Sequence, residues 1–232
     1  MKRDILLWVV ASLLTCFLLG ALAPTAEAGP PLICFPYDIG NAPSLPWGAG
    51  QGWKTISSSY DLNRLVDDTL ALLGSSTPLI VRMETLRRAT IYATNDARVA
   101  AVLAARLEER VRTSEAKGAA DPLALFDYGY LVEAYKQAQK AFGAATAAPA
   151  VDGRALIERA LRMRGNDPEM EFAAAMASVD GRSSASAAEH LRKAVAGARE
   201  GSLLAANLIS HGQLFGRHAA NLAELRAQVS PQ

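Results

Sequence analysis

The stretch Asp61-Leu62-Asn63-Arg64-Leu65-Val66-Asp67-Asp68-Thr69-Leu70-Ala71-Leu72-Leu73-Gly74, with Ser75-Ser76-Thr77-Pro78 behind it, sets the class of this chain. Leu62, Leu65, Val66, Thr69, Leu72 and Leu73 recur at the three- and four-residue spacing that lines one face of an α-helix. Gly74 predicts the stop, because glycine accepts the left-handed backbone that closes helices. Thr77-Pro78 predicts a restart, with threonine as N-cap and proline in the first turn. The same punctuation returns at Asp121-Pro122 and Asp167-Pro168.

Toward the C-terminus the helical period continues. Ile80, Met83, Leu86 and Thr90 mark a second helix, and Asn95 or Asp96 caps a third with the stripe Val99, Val102, Leu103, Leu107 and Val111. A fourth is predicted from Pro122 to about Phe142, carrying Phe126, Tyr128, Tyr130, Val132 and Tyr135. Residues 143–153, rich in alanine and holding Pro149, read as a loose joint. Shorter helices are expected over 154–164, 168–179, 184–199, 202–214 and 217–229. No strand-forming run occurs beyond residue 60. The expected fold class is all-α, and helices of this length with short joints suit stacked antiparallel hairpins.

An internal echo sharpens that expectation. Ile157-Glu158-Arg159-Ala160 recurs as Leu191-Arg192-Lys193-Ala194 and, weakened, as Leu225-Arg226-Ala227-Gln228, each step being 34 residues. Ala175, Ala187 and Ala194 supply small side chains where helices cross closely. Over about residues 150–230 the chain resembles a degenerate tetratricopeptide-type repeat. The resemblance implies an α-α superhelix with a concave surface suited to a protein or peptide partner. The third unit departs from the pattern, with Ile209 and Asn221 where small residues belong.

N-terminal to the helices, residues 29–58 hold five prolines, several glycines, Trp47 and Trp53. Proline removes backbone donors, so this part is expected to be a helix-free, extended arm. Ile33, Phe35, Tyr37 and Ile39 alternate with Cys34, Pro36 and Asp38, which puts four large side chains on one side of the strip. Such a strip either docks on the chain's own helices or is offered to a partner. The run from Cys34 to Asn41, continuing through Ser44-Leu45-Pro46-Trp47-Gly48, resembles a segment of exported bacterial proteins and carries no activity with it.

The first 28 residues read as an address. Lys2 and Arg3 precede an apolar run over 5–23, and Ala26-Glu27-Ala28 supplies a small-residue cleavage site before Gly29. A secretory signal peptide cut after Ala28 is expected, which directs the protein to the periplasm or outside the cell. A retained anchor is the competing reading, since the apolar run is long enough to span a bilayer. No stable span is expected after cleavage. Cys16 lies inside the run, where lipid attachment does not fit.

Composition limits the chemistry. The 232 residues are 50% hydrophobic but 6% aromatic, with about 45 alanines, and 24 basic side chains face 23 acidic ones. That balance argues against a nucleic-acid binder, which needs a basic stripe to neutralise phosphates, so no nucleic-acid partner is expected. Cleavage would remove two cations and two anions and leave the net charge at +1. It would also leave Cys34 as the sole cysteine, which excludes an internal disulfide and a thiolate zinc site. No H-E-x-x-H, G-x-G-x-x-G or phosphate-binding loop is present, and neither a metal nor a cofactor is expected. His211 and His218 are expected to flank a turn around Gly212 and Gly216, and the histidines to be solvated or capping. Arg82, Arg87 and Arg88, interleaved with acids, read as an ordinary polar face.

Two functional readings follow. The first is an exported, non-catalytic helical scaffold that binds a protein or peptide, with Tyr128, Tyr130 and Tyr135 as groove contacts or, equally, as core. The second is an exported enzyme or small-ligand binder, its site built between the helices and Cys34, Asp38 and Trp47 of the arm, and the pair Trp47 and Trp53 is the candidate grip for a sugar or peptide.

Overall fold

A helix of fifteen residues, Leu79–Ala93, is buried along its whole length except at Arg88. Apolar residues occupy all its faces, so the predicted stripe describes only one side of an element that is enclosed all round. The computed structural model describes residues 29–50, 52–143, 148–165, 167–179 and 184–230. The signal-peptide and cleavage-site reading, over 1–28, lies outside those residues, as do positions 144–147 of the expected joint.

In chain order the α-helices are α1 Pro31–Cys34, α2 Leu65–Leu72, α3 Leu79–Ala93, α4 Ala97–Ala116, α5 Pro122–Phe142, α6 Gly153–Arg164, α7 Pro168–Ala177, α8 Ala185–Gly197, α9 Leu203–His211 and α10 Leu222–Val229. Single 3-10 turns cover Leu62–Arg64 and Gly212–Phe215. Among the described residues there is no strand beyond an isolated antiparallel bridge between Trp47 and Ile56. The chain is all-α. No helix among those residues is long and apolar enough to cross a membrane.

Most helix starts follow the predicted chemistry. Asp96, Asp121, Asp152, Asp167, Ser184 and Ser202 each accept a backbone N–H from the first turn of the helix they open. Three expectations need correction. Thr77 does not cap α3: its hydroxyl donates to Leu72 O at 2.8 Å, Pro78 takes the N-cap position, and Glu169 of α7 accepts the free Leu79 N–H at 3.0 Å. The last helix starts at Leu222 instead of residue 217, because Asn221 and Glu224 form a reciprocal cap around it. The N-terminal segment is not free of helix, since Pro31 opens the single turn α1, where a missing N–H costs nothing.

Core packing centres on α3, α5 and α7, with α6 laid closely on α5 and α8 on α7. The α5–α6 crossing is made by two glycines. A Cβ at Gly129 would lie 2.6 Å from Gly153 O, and one at Gly153 would lie 2.5 Å from Gly129 O. At the far end of the α7–α8 pair, Gly197 packs against Pro168, which sets those helices antiparallel. The echoed positions Ile157, Ala160, Leu191, Ala194 and Leu225 are all buried on α6, α8 and α10.

Candidate functional site

Two places concentrate polar chemistry, the N-terminal segment on α3 and a cleft beside α4. The first is built from the turn Glu84–Arg88. One Glu84 oxygen accepts from Tyr37 N at 3.0 Å and Arg87 Nε at 2.7 Å. The other accepts from Arg87 Nη2 at 2.8 Å and Arg88 Nε at 2.7 Å. Arg87 Nη1 then donates to Ile33 O and Trp53 O, and Arg88 Nη1 to Leu45 O. Tyr92 donates to Pro46 O at 2.6 Å and accepts from Ser57 N. A segment with almost no internal ladder thus has its buried carbonyls satisfied by side chains of α3. Arg82 and Arg87 are therefore not a solvated polar face. Both are fully buried, and only Arg88 is partly exposed.

Around this clamp the segment fills a hydrophobic seat. Leu32, Ile33, Tyr37, Ile39 and Leu45 are buried, while Phe35 is only partly covered. Tyr37 shares a 2.8 Å hydrogen bond with Tyr130 of α5 and stacks on His211 of α9, with ring centroids 4.9 Å apart. Asn207, one turn before His211, pairs with Asp38 twice, accepting from its N–H and donating to its carbonyl. His211 donates from Nδ1 to Asn207 O, and its Nε2 is buried without a hydrogen-bond partner. Burial holds this imidazole below the ordinary histidine value, against the opposing pull of the Asn207 and Phe35 backbone and of Glu84. His218, beyond the 3-10 turn, is exposed and takes no part.

The sequence candidates are placed as follows. Cys34 is half-buried, and burial raises its thiol pKa in spite of Arg87 nearby, so the neutral thiol is favoured. The Asp38 side chain caps its own turn by accepting from Gly40 N. Trp47 lies under the guanidinium groups of Arg87 and Arg88, 5.0 and 5.5 Å from its ring centre. Trp53 stacks on Phe142. Tyr130 and Tyr135 are fully buried, with Tyr135 donating to Ala100 O, and Tyr128 is 4% exposed. These three tyrosines are core, and the groove reading does not hold for them. Of the other candidates, Trp47 and Trp53 lie on the helices as fastenings, while the Asp38 side chain closes its own exposed turn and Cys34 is a half-buried thiol.

A second buried ion group lies behind the cleft. Arg82 reaches Asp127 at 2.6 Å, also donating to the carbonyls of Gly74 and Thr77, while Arg110 Nη1 stands 3.6 Å from the same Asp127 oxygen. Burial pushes Asp127 up to about 6 against the pull of both arginines. Asp127 Oδ1 and Arg110 Nη1 carry no hydrogen bond. Arg110 also lines the cleft itself, a hollow of about 630 Å³ bordered by Leu70, Arg106, Glu109, Thr113, Ser114, Lys117, Ala119 and Asp121. None of these belongs to the N-terminal segment.

Sequence reasoning passed over Glu84, Asp127 and Arg110, and took the buried His211 and His190 as solvated or capping. The last bridges three helices, with Nε2 2.7 Å from Glu158 of α6 and Nδ1 2.6 Å from Glu171 of α7. It is neither solvated nor a cap. The available signal was α3 itself, where charged residues stand among apolar ones on every face of one helix. No group of three or more histidine, cysteine, aspartate or glutamate side chains with metal-holding geometry occurs among the described residues. No family model, curated protein or solved structure matches this chain.

Proposed function

We propose that the protein is an exported, non-catalytic helical scaffold that binds a peptide or protein partner along the cleft beside α4. The observation that carries this reading is the division of labour between the two polar regions. In the N-terminal segment Asp38 closes its own turn, Trp47 lies against Arg87 and Arg88 and Trp53 on Phe142, whereas the cleft keeps Arg106, Thr113 and Lys117 exposed on a floor held by Arg110, Ser114 and Asp121. A nucleophilic role for Cys34 draws no support, because burial favours its neutral thiol.

The stacked-hairpin, tetratricopeptide-like reading supports the same proposal. The 34-residue echo puts Ile157, Ala160, Leu191, Ala194 and Leu225 at buried positions of the alternate helices α6, α8 and α10, and arrays of hairpins present surfaces for partners. Export rests on the signal-peptide pattern of residues 1–28.

The test is site-specific photocrosslinking in the intact secreting cell. A photoreactive residue at Thr113 is expected to give a discrete crosslinked band, and the same group at exposed Met163 on α6 none. Absence of any product at Thr113, or equal products at both positions, sinks the proposal.

A further inference from the structure

Arg106, Arg110, Thr113 and Lys117 follow one another at steps of four, three and four residues along α4 and its C-cap. At 100° per residue they fall within about 60° of one another, so they form a single stripe facing the cleft. From Arg106 to Lys117 the stripe runs about 16 Å. An extended peptide covers that length with about five residues.

Two of the three cations in the stripe, Arg106 and Lys117, are exposed and available to a ligand. Arg106 meets Glu109 only at 3.7 Å, with both side chains more than half exposed. No ion pair of Lys117 occurs among the described residues. Arg110 is fixed by its donation to Leu73 O and by Asp127, 3.6 Å from its buried Nη1, so its charge is shared with that buried carboxylate and only part of the side chain is open to the cleft. Of the two acids at the rim, Asp121 is occupied in capping α5. Glu109 is the one exposed carboxylate that a bound anion would meet.

We infer that the cleft takes an extended acidic peptide segment, with its carboxylates on Arg106, Arg110 and Lys117. The first two cations are about 6 Å apart along the helix and the last two about 10 Å. Side chains on one face of an extended strand repeat about every 6.8 Å. Carboxylates two residues apart therefore suit the arginines, and the next on the same face, two residues further on and about 6.8 Å away, is left to the long lysine side chain. Thr113 supplies a hydroxyl donor between them. This inference rests on the cleft being the partner site and adds the partner's chemistry.

Fluorescence anisotropy of the full-length protein with a short labelled peptide rich in Asp and Glu tests it. The acidic peptide is expected to bind more weakly as salt rises, and its Asn/Gln counterpart to bind at least about tenfold more weakly. The double variant Arg106→Gln, Lys117→Gln is expected to lose about tenfold in affinity. Glu109→Gln, which removes the competing carboxylate, is expected to bind the acidic peptide more tightly than the wild type. Both substitutions alter exposed side chains, and the gain of binding cannot come from misfolding. Equal affinity for the amide peptide, an unchanged double variant, or no gain in Glu109→Gln overturns the inference. Crosslinking at Thr113 would still succeed in each of those cases if the cleft holds a partner of other chemistry.

Discussion

Each oxygen of Glu84 accepts two hydrogen bonds, and three of the four donors belong to arginines that lie beside it on the same helix. A buried carboxylate is costly unless paired and fully hydrogen-bonded, and here that condition is met within one turn of α3 plus one N–H from Tyr37. His211 is the opposite case, a buried polar ring with one nitrogen unanswered. Because burial lowers its proton affinity in the folded chain, the unfolded chain takes up the proton first as pH falls. The stabilising contribution is whole above about pH 6.5 and drains away below it. His211→Phe keeps an aromatic ring against Tyr37 and cannot titrate. Urea unfolding of both proteins between about pH 7.5 and 5.5 should show the wild type losing more stability than the variant, with a ceiling of about 1.4 kcal/mol set by one proton over one pH unit below the free histidine value. Parallel profiles would show that His211 is free to protonate in place.

At the scale of elements, glycine decides how near α5 and α6 approach. Their backbones touch at Gly129 and Gly153, where neither position has room for a methyl group. Gly129→Ala should therefore raise helix propensity and still destabilise the protein, by about 1–3 kcal/mol of overpacking, measured by chemical denaturation. A stabilised variant would mean that the helices sit further apart. Nothing in the sequence marked Gly129, because a lone glycine in a helical run has no local signature of what crosses it. The helix α5 itself was legible to the residue, since Asp121-Pro122 and Gly143 bound an apolar run without conflict. The start of α10 was not, because the Asn221–Glu224 cap competed with an equally plausible helical run from residue 217. What stayed illegible were the pairings across the chain. Arg82 with Asp127 and Arg87 with the carbonyls of residues 33 and 53 depend on tertiary placement, and arginines interleaved with acids look alike on a surface and in a core.

For the whole molecule, the N-terminal segment works as a missing layer of the core. It lays Leu32, Ile33, Tyr37, Ile39 and Leu45 on α3, α5 and α9, yet its own backbone bonds are few, so its hold depends on side chains elsewhere. Arg87 bears most of that dependence, donating to Ile33 O and Trp53 O from a single nitrogen while neutralising Glu84. Removing it leaves two buried carbonyls and part of a carboxylate without partners, a loss that falls on the segment before it reaches the helices. Arg87→Met should therefore release the segment locally while far-ultraviolet circular dichroism stays helical. Cys34, the only cysteine among the described residues and half-buried within the segment, reports that release directly. Its reaction with a thiol reagent should be at least about tenfold faster in the variant, the change expected for about 1.4 kcal/mol off local opening. Arg159→Met, which removes an exposed pair with Glu115, should leave the rate unchanged. If both variants label Cys34 at the wild-type rate, the apolar seat alone holds the segment and the α3 clamp serves only to satisfy buried charge.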